Sequence, residues 1–381
     1  MIKRDAEKKI RLFAKQFRAL AIVGPRQSGK TTLVKKVFPK KPYVSLEDPD
    51  ECEMALEDPR FFLSRFKNGA IIDEAQRVPQ LFSYLQSIID NSDKDNMFVL
   101  TGSNNFLLQQ SISQSLAGRI GYIDLLPLTL NEIKQFSVSF SSADDWILNG
   151  CYPEIYDKQR KPSIWYPSYI RTYVERDIRM IRNIEDSNQF TKFLRICAGR
   201  TGQLINLSAI SIECGIDIKT VQSWLSILES SFVIYLLKPH HNNFNKRLVK
   251  SPKLYFYDTG LACSLLGIKT ITELQLSHFR GALFENAIIN EQQKKEFNNE
   301  NSNPLYYWRD NKGVEIDLLI DAGSKIIPVE IKAGQTFDKI YFKNIDYWNK
   351  LSNNIGGDLI YGGDKSYSLP EGKRVISWKD I

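Results

Sequence analysis

Residues 21–32 read Ala21-Ile22-Val23-Gly24-Pro25-Arg26-Gln27-Ser28-Gly29-Lys30-Thr31-Thr32. The apolar start predicts a short strand, the middle is a G-x-x-x-x-G-K-T loop, and Leu33-Val34 opens an amphipathic run. This is a Walker A pattern in the setting it requires, between a strand and a helix. Gly24 and Gly29 let the backbone close around phosphate oxygens without a Cβ in the way. Loop amides and the helix dipole then favour an anion, so Gly24 through Thr32 form the expected nucleotide-binding segment. Lys30 is placed to reach the β- and γ-phosphates of ATP, and the Thr31 hydroxyl to hold Mg²⁺.

Working outward, 381 residues exceed one ordinary core and predict several domains. Hydrophobic residues at 43% and charged residues at 25% are ordinary globular values. No stretch approaches the ~20 apolar residues of a membrane span. The charged start Met1-Ile2-Lys3-Arg4-Asp5-Ala6-Glu7-Lys8-Lys9 has no apolar signal core. Cys52, Cys151, Cys197, Cys214 and Cys263 are scattered and form no C-x-x-C pair, which argues for reduced thiols in the cytoplasm and against structural zinc. The net charge of +7 is compatible with a nucleic-acid partner without requiring one.

Tyr43-Val44-Ser45-Leu46 predicts a second strand, and Ala70-Ile71-Ile72 a third that delivers Asp73-Glu74 at its end. Two carboxylates at the end of an apolar strand, downstream of a Walker A loop, have the Walker B arrangement. Asp73 then belongs to the Mg²⁺ shell and Glu74 polarises the attacking water. Phe98-Val99-Leu100-Thr101-Gly102-Ser103-Asn104 supplies a further apolar strand ending in small polar residues.

Here the chain resembles the AAA+ superfamily of P-loop ATPases, in which a polar sensor residue ends the strand beside Walker B. The resemblance implies that role for Asn104, with Ser103 and Asn105 as near substitutes. Ser115-Leu116-Ala117-Gly118-Arg119 puts Arg119 where related ATPases carry a finger or sensor arginine, acting in cis or from a neighbouring subunit. The ordered set GPRQSGKTTL, IIDEAQRVPQLF, LTGSNNFLL, SLAGR and LLPLTLNEI is similar to prokaryotic AAA+ ATPases fused to a C-terminal domain of nuclease-like fold.

In the middle, Gly150-Cys151-Tyr152-Pro153-Glu154 is a turn matching that family's GGYPE-like element, with Cys151 in place of a glycine. Ser168 to Ile178 has the spacing of a helix and belongs to a helical lid. Two short helices, Leu204 to Cys214 and Ile218 to Ser230, are joined by Gly215-Ile216-Asp217, with Asp217 as N-cap. The strand Phe232 to Leu237 and the returning strand Lys253 to Tyr257 follow, which reads as a winged helix-turn-helix. Residues His240 to Arg247 form the wing, with His240-His241 on its surface. A DNA contact through this module uses Lys219, Thr220, Gln222 and Ser223 in a groove and Lys246 and Arg247 on phosphates; a protein partner is the alternative.

At the C-terminus, Phe279 to Gln292 predicts a helix containing Glu285. Strands Leu305–Arg309, Gly313–Ile320 and Ile326–Lys332 follow, with a hairpin turn at Asp321-Ala322-Gly323-Ser324. An Asp on one strand and E-x-K on the next looks like the PD-(D/E)xK nuclease fold. Glu330 and Lys332 share a strand face. The resemblance implies that Asp317 and Glu330 grip Mg²⁺, Glu285 completes the shell, Lys332 activates water, and Glu315 adds an acidic group.

The expected architecture is α/β: a P-loop AAA+ core with a parallel sheet over 1–135, a helical lid over 136–200, a winged helix over 201–270 and a nuclease-like domain over 271–381. The expected activity is Mg²⁺-dependent ATP hydrolysis coupled to a DNA-directed module. An ATP-gated DNA endonuclease and a nucleotide-operated protein switch are the competing readings, and the resemblance leaves a homo-oligomer open.

Overall fold

The computed structural model describes the chain except residues 1, 93, 104–111, 113–114, 175–186, 241–248 and 301. The expected sensor Asn104 and the wing residues Lys246 and Arg247 lie outside the described residues. The chain divides into two compact units: Met1–Leu128 with Ser230–Phe232 and Phe297–Glu300, and Thr129–Glu229 with Val233–Glu296 and Asn301–Ile381. The lid, the helix-turn-helix stretch and the C-terminal domain, expected as separate pieces, therefore fall in one unit.

The first unit runs α1 (Glu7–Phe13), β1 (Ala19–Val23), α2 (Lys30–Val37), β2 (Tyr43–Ser45), β3 (Ala70–Asp73), α3 (Leu81–Asp90), β4 (Phe98–Gly102) and β5 (Ile120–Asp124). Its five-stranded sheet has the order β2-β3-β4-β1-β5, and every pairing is parallel. The strands β1, β3 and β4 are buried along their whole length, the pattern of a parallel sheet covered on both faces. Leu20 and Ile22 of β1 pack with Leu33, Val34 and Val37 of α2, Ile71 and Val99. The register sets Val23 against Gly102 and against Asp124, so the strands' C-terminal ends form one common edge. Ligands of open α/β sheets bind at such an edge.

In the second unit, α4 (Ser187–Gly199) precedes α5 (Leu207–Cys214) and α6 (Ile218–Ser230). Asn206 Oδ1 accepts from Ala209 N at 3.0 Å to cap α5, and Asp217 Oδ1 accepts from Thr220 N at 3.0 Å to cap α6. The antiparallel pair β6 (Ile234–Leu237) and β7 (Lys253–Phe256) follows, then α7 (Thr259–Leu265) and the long α8 (Arg280–Asn298). Strands β8 (Leu305–Arg309), β9 (Glu315–Asp321) and β10 (Ile326–Lys332) come next, followed by α9 (Lys343–Ser352), β11 (Gly357–Tyr361), β12 (Tyr367–Ser368) and β13 (Lys373–Ser377).

These last strands make a six-stranded mixed sheet in the order β12-β13-β11-β10-β9-β8. β8, β9 and β10 form an antiparallel meander, and α9 carries the chain across to β11, which lies parallel to β10. Trp308, Ile316, Leu319, Trp348, Leu359 and Val375 fill its core.

The hairpin after α6 is joined to this sheet by backbone hydrogen bonds. His240 N donates to Tyr307 O at 2.7 Å, Tyr307 N to Lys238 O at 3.1 Å, and Val249 N to Arg309 O at 3.2 Å. His240 is therefore not wing surface: it is 7% exposed, and its ring sits 5.4 Å from that of Tyr306. An edge strand with unpaired donors and acceptors recruits such a partner.

The turn at Gly150 explains why a glycine stands there. Its φ is +64°, and an added Cβ would lie 2.0 Å from the Tyr166 hydroxyl and 2.5 Å from Asp258 Oδ1. Asp258 accepts from Cys151 N at 2.7 Å and caps α7 through Leu261 N at 2.9 Å, so one buried carboxylate fixes both the turn and the helix start.

Candidate functional sites

The first site lies at the common strand edge. The loop leaves β1 at Gly24, where the backbone passes so close to Leu125 that a Cβ would sit 2.0 Å from its carbonyl oxygen. Arg4 supports the loop by donating to Ser28 O and Leu126 O, each at 2.8 Å. Lys30 is buried, and its Nζ donates to Gly24 O and Pro25 O, each at 2.9 Å. Burial lowers its pKa to about 8, partly offset by Glu74 and Asp73. The Ser28 hydroxyl is buried with no hydrogen-bond partner among the described residues. A loop holding an ammonium and an unpaired hydroxyl suits phosphate oxygens.

Asp73 ends β3 as the sequence predicts, and three hydroxyls converge on it. Thr31 Oγ1 and Tyr43 OH each donate to Asp73 Oδ2 at 2.8 Å, and Thr101 Oγ1 donates to Oδ1. Burial and the neighbouring Asp73 push the Tyr43 hydroxyl up to about 12, so it stays a donor. Glu74 sits at φ +55°, a strained conformation for a non-glycine residue and one common at functional sites. Its Oε2 accepts from Ser103 Oγ at 3.1 Å and from Gln76 Nε2. Thr31 and Asp73 offer hard oxygen donors side by side, which fits Mg²⁺ held by few protein ligands plus substrate phosphates. Tyr43, Thr101 and Gln76 were not singled out from the sequence; the signal available was that each lies at, or just beyond, an end of β2, β4 or β3.

Arg119 is not brought to this site. It precedes Ile120, which pairs with Ala19 at the opposite end of β1. Five strand residues separate that end from the loop, roughly 16 Å. Arg119 Nε instead bonds Asp90 Oδ1 at 2.5 Å and Nη2 bonds Oδ2 at 3.1 Å. The in-cis part of the expectation is thereby corrected: the strand's length keeps this guanidinium from the chain's own phosphate loop.

The second site gathers Glu285 of α8, Asp317 of β9 and Glu330 and Lys332 of β10, as the sequence predicts. Lys332 Nζ lies 2.7 Å from Glu330 Oε2 and 3.4 Å from Asp317 Oδ2. Asp317 Oδ2 also accepts from Ile331 N at 2.8 Å, and Glu330 Oε1 from Asn344 Nδ2 at 3.2 Å. Burial, then the Asp317 charge, pushes Glu330 up to about 8 against the pull of Lys332. Burial raises Glu285 to about 7 against the pull of Lys253.

Lys253 of β7 enters the cluster from the hairpin, which the sequence did not reveal. Its Nζ is 3.0 Å from Glu285 Oε1 and also pairs with Glu315, while Tyr255 OH donates to Glu285 Oε1 at 2.5 Å. Lys253 is the only charged residue of the buried strand Lys253–Phe256, and that isolation was the signal on offer. Glu285, Asp317 and Glu330, the expected Mg²⁺ ligands, are engaged by Lys253, Lys332, Tyr255, Asn344 and the Ile331 amide. N–H and O–H donors engage their oxygens, and among the described residues no group of three or more His, Cys, Asp and Glu is placed to hold a metal ion. So arranged, the cluster does not fit a divalent ion.

Known proteins resemble the chain in three segments and as a whole. Residues 16–134 match the model of an AAA domain, 140–272 a domain of unknown function (DUF8612), and 280–381 another (DUF4143). The first unit's parallel sheet and loop are accordingly a P-loop ATPase core, and the mixed sheet is a separate C-terminal domain. Uncharacterized proteins of Mycobacterium tuberculosis and Mycobacterium bovis are each 30% identical over 337 residues, 88% of this chain and 74% of theirs. An uncharacterized protein of Haemophilus influenzae is 23% identical over 280 residues, 65% of this chain and 69% of its own. Among solved structures, a Walker-type ATPase of Pyrococcus abyssi is 14% identical with a TM-score of 0.48, covering 70% of this chain and 96% of that one.

Proposed function

The chain belongs to one family with these uncharacterized mycobacterial proteins, and we propose that it is a Mg²⁺-dependent ATPase whose nucleotide state is coupled to a DNA-directed, nuclease-like C-terminal module. The observation carrying the ATPase reading is the meeting of Lys30, Thr31, Asp73 and Glu74 at one strand edge. Gly24 to Thr32 wrap the phosphates, and Lys30 turns from the carbonyls of Gly24 and Pro25 to phosphate oxygens. Thr31 and Asp73 hold Mg²⁺, which when bound supplies charge neutralisation on the phosphates. Glu74, aimed by Ser103 and Gln76, accepts the proton of the attacking water. Asn104, one residue beyond Ser103, senses the γ-phosphate. Arg119 serves the nucleotide of a neighbouring copy, which makes the working form an oligomer. The free cysteines suit the reducing cytoplasm.

Steady-state hydrolysis by Glu74→Gln, with nucleotide binding measured in parallel, tests this reading. ATP stays bound and turnover falls by about 10²–10⁴, the range for losing a general base. Unchanged turnover removes Glu74 from the chemistry.

Two observations support the DNA-directed part. Helix α6 exposes Lys219 and Gln222, and a cavity of about 600 Å³ in the same unit is lined by Lys192, Arg195, Arg200, His278 and Phe279. Cations beside an aromatic ring are the means by which proteins hold single-stranded backbone and base. The order helix, three-strand meander, crossing helix and parallel strand, with Glu285, Asp317, Glu330 and Lys332 on its successive elements, supports the nuclease-like assignment. A salt-titrated DNA-binding measurement decides: affinity insensitive to salt turns the reading to a protein-binding switch.

A further inference from the structure

The carboxylate cluster of the second unit already holds a cation. Glu285, Glu315, Asp317 and Glu330 arrive from α8, β9 and β10, and Lys332 and Arg309 balance only the Glu330–Asp317 side and the outer oxygen of Glu315. Lys253 reaches the remainder, with its side chain 3% exposed. Burial opposes its charge, but Glu285, Asp317 and Glu315 outweigh that and hold its pKa above the ordinary lysine value.

The strand carrying Lys253 is fixed on both sides. Asn286 of α8 brackets Phe256, accepting from its amide at 2.9 Å and donating to its carbonyl at 2.7 Å, and Asn290 adds a second 2.7 Å bond to that carbonyl. Leu254 exchanges backbone bonds with Gly202 at 2.8 Å and Gln203 at 3.0 Å. Tyr307 of β8 donates to Ser251 O. These bonds fix the backbone on both sides of Lys253.

We propose that Lys253 is a tethered cation that closes this cluster to divalent metal, so that the C-terminal domain can bind metal only when the β6–β7 hairpin is displaced. The proposal rests on reading Glu285, Asp317, Glu330 and Lys332 as a nuclease-like site. An ammonium and a divalent ion would compete for the same oxygens of Glu285 and Glu315, and at contact distance in a buried site their like charges repel strongly. The hairpin also continues from α6 and pairs with β8, so a partner pulling on the helix-turn-helix would act on the lock directly.

Mn²⁺ binding to the full chain without nucleotide, followed by the electron paramagnetic resonance of free Mn²⁺, tests the lock. Lys253→Met gains one site at least about tenfold tighter than any in the unmodified protein, a margin typical of changes beside metal ligands. Adding Asp317→Asn removes that site, and Lys253→Arg, which keeps the charge, gains none. Since Lys253→Met leaves Glu285 and Glu315 half-buried beside each other, Lys253→Met with Glu315→Gln serves if the single variant does not fold. No gain in either folded variant overturns the proposal. So does Mn²⁺ bound by the unmodified protein and lost in Asp317→Asn. Plasmid cleavage is scored separately: a Lys253→Met protein that binds Mn²⁺ and leaves plasmid intact defeats the nuclease reading and leaves the lock standing.

Discussion

Thr31 Oγ1 and Asp73 Oδ2 are joined by a 2.8 Å hydrogen bond, linking the first turn of α2 to the end of β3. On the proposed function the two residues act on one Mg²⁺, so their loss is not additive. Thr31→Ala and Asp73→Asn each lower kcat/KM for ATP in Mg²⁺ by about 10²-fold or more, and the double variant is little worse than the weaker single one. Steady-state kinetics on the three proteins gives the coupling directly. Additive losses would separate Thr31 from the metal site.

Ser103 Oγ donates to Glu74 Oε2 at 3.1 Å, so on the proposed function it positions the base. Ser103→Ala lowers kcat by about two- to tenfold while KM changes little, the signature of an interaction made only in the transition state. Ser103→Thr, which keeps the hydroxyl, restores most of the rate. A change confined to KM assigns Ser103 to binding.

Lys30 gives nucleotide binding a pH dependence. Burial holds its pKa near 8 in the free protein, and phosphate oxygens around the ammonium raise it in the complex. A group whose pKa rises on binding takes up a proton. Affinity for ATP is therefore level below pH 8 and weakens above it, by up to about tenfold per pH unit until the complex's own pKa is reached. Titrations at pH 7 to 9.5 in buffers of different ionisation heat show the proton uptake, and Lys30→Arg removes the slope.

Much of both sites was legible because their signals are local. The loop between β1 and α2, the Asp73-Glu74 strand end, and the strands Leu305–Arg309 and Ile326–Lys332 follow from short apolar runs with charges at fixed offsets. Asp217 as a helix cap was readable for the same reason. What escaped is non-local. Strand order cannot be read along the chain, so nothing in Ser115–Arg119 showed that Arg119 stands at the far end of the sheet. The closing strands β11 and β13 were missed, though their Leu359 and Val375 complete the core beneath Trp348. In sequence Lys253 reads as part of a wing strand, because its partners Glu285 and Glu315 come from elements more than thirty residues later in the chain.

Lys219 is exposed on the first turn of α6, the part of a recognition helix that meets nucleic acid. If it contacts phosphate, Lys219→Ala weakens DNA of any sequence alike and lowers the slope of log affinity against log salt by about one. Gln222, one turn further on the exposed side, has no charge to lose, so Gln222→Ala leaves the salt slope unchanged. Fluorescence anisotropy across a salt series separates the two, and an unaltered slope in Lys219→Ala removes α6 from the interface.

Asp258 explains why the Gly150-Cys151 turn and α7 stand or fall together. Its buried carboxylate accepts from Cys151 N and Leu261 N, and without it both amides lose their partner away from water. An unsatisfied buried donor costs about 1–3 kcal/mol and a lost N-cap about 1 kcal/mol. Asp258→Ala therefore destabilises the second unit by about 3 kcal/mol, lowering its melting temperature by roughly 6–12 °C. Asp258→Asn keeps the carbonyl oxygen for one amide but turns an NH₂ toward the other, so it falls between. The P-loop unit does not contain Asp258, and heat-induced loss of nucleotide binding serves as an internal reference. If the two transitions shift together, the units unfold as one, and the stability carried by Asp258 belongs to the whole chain.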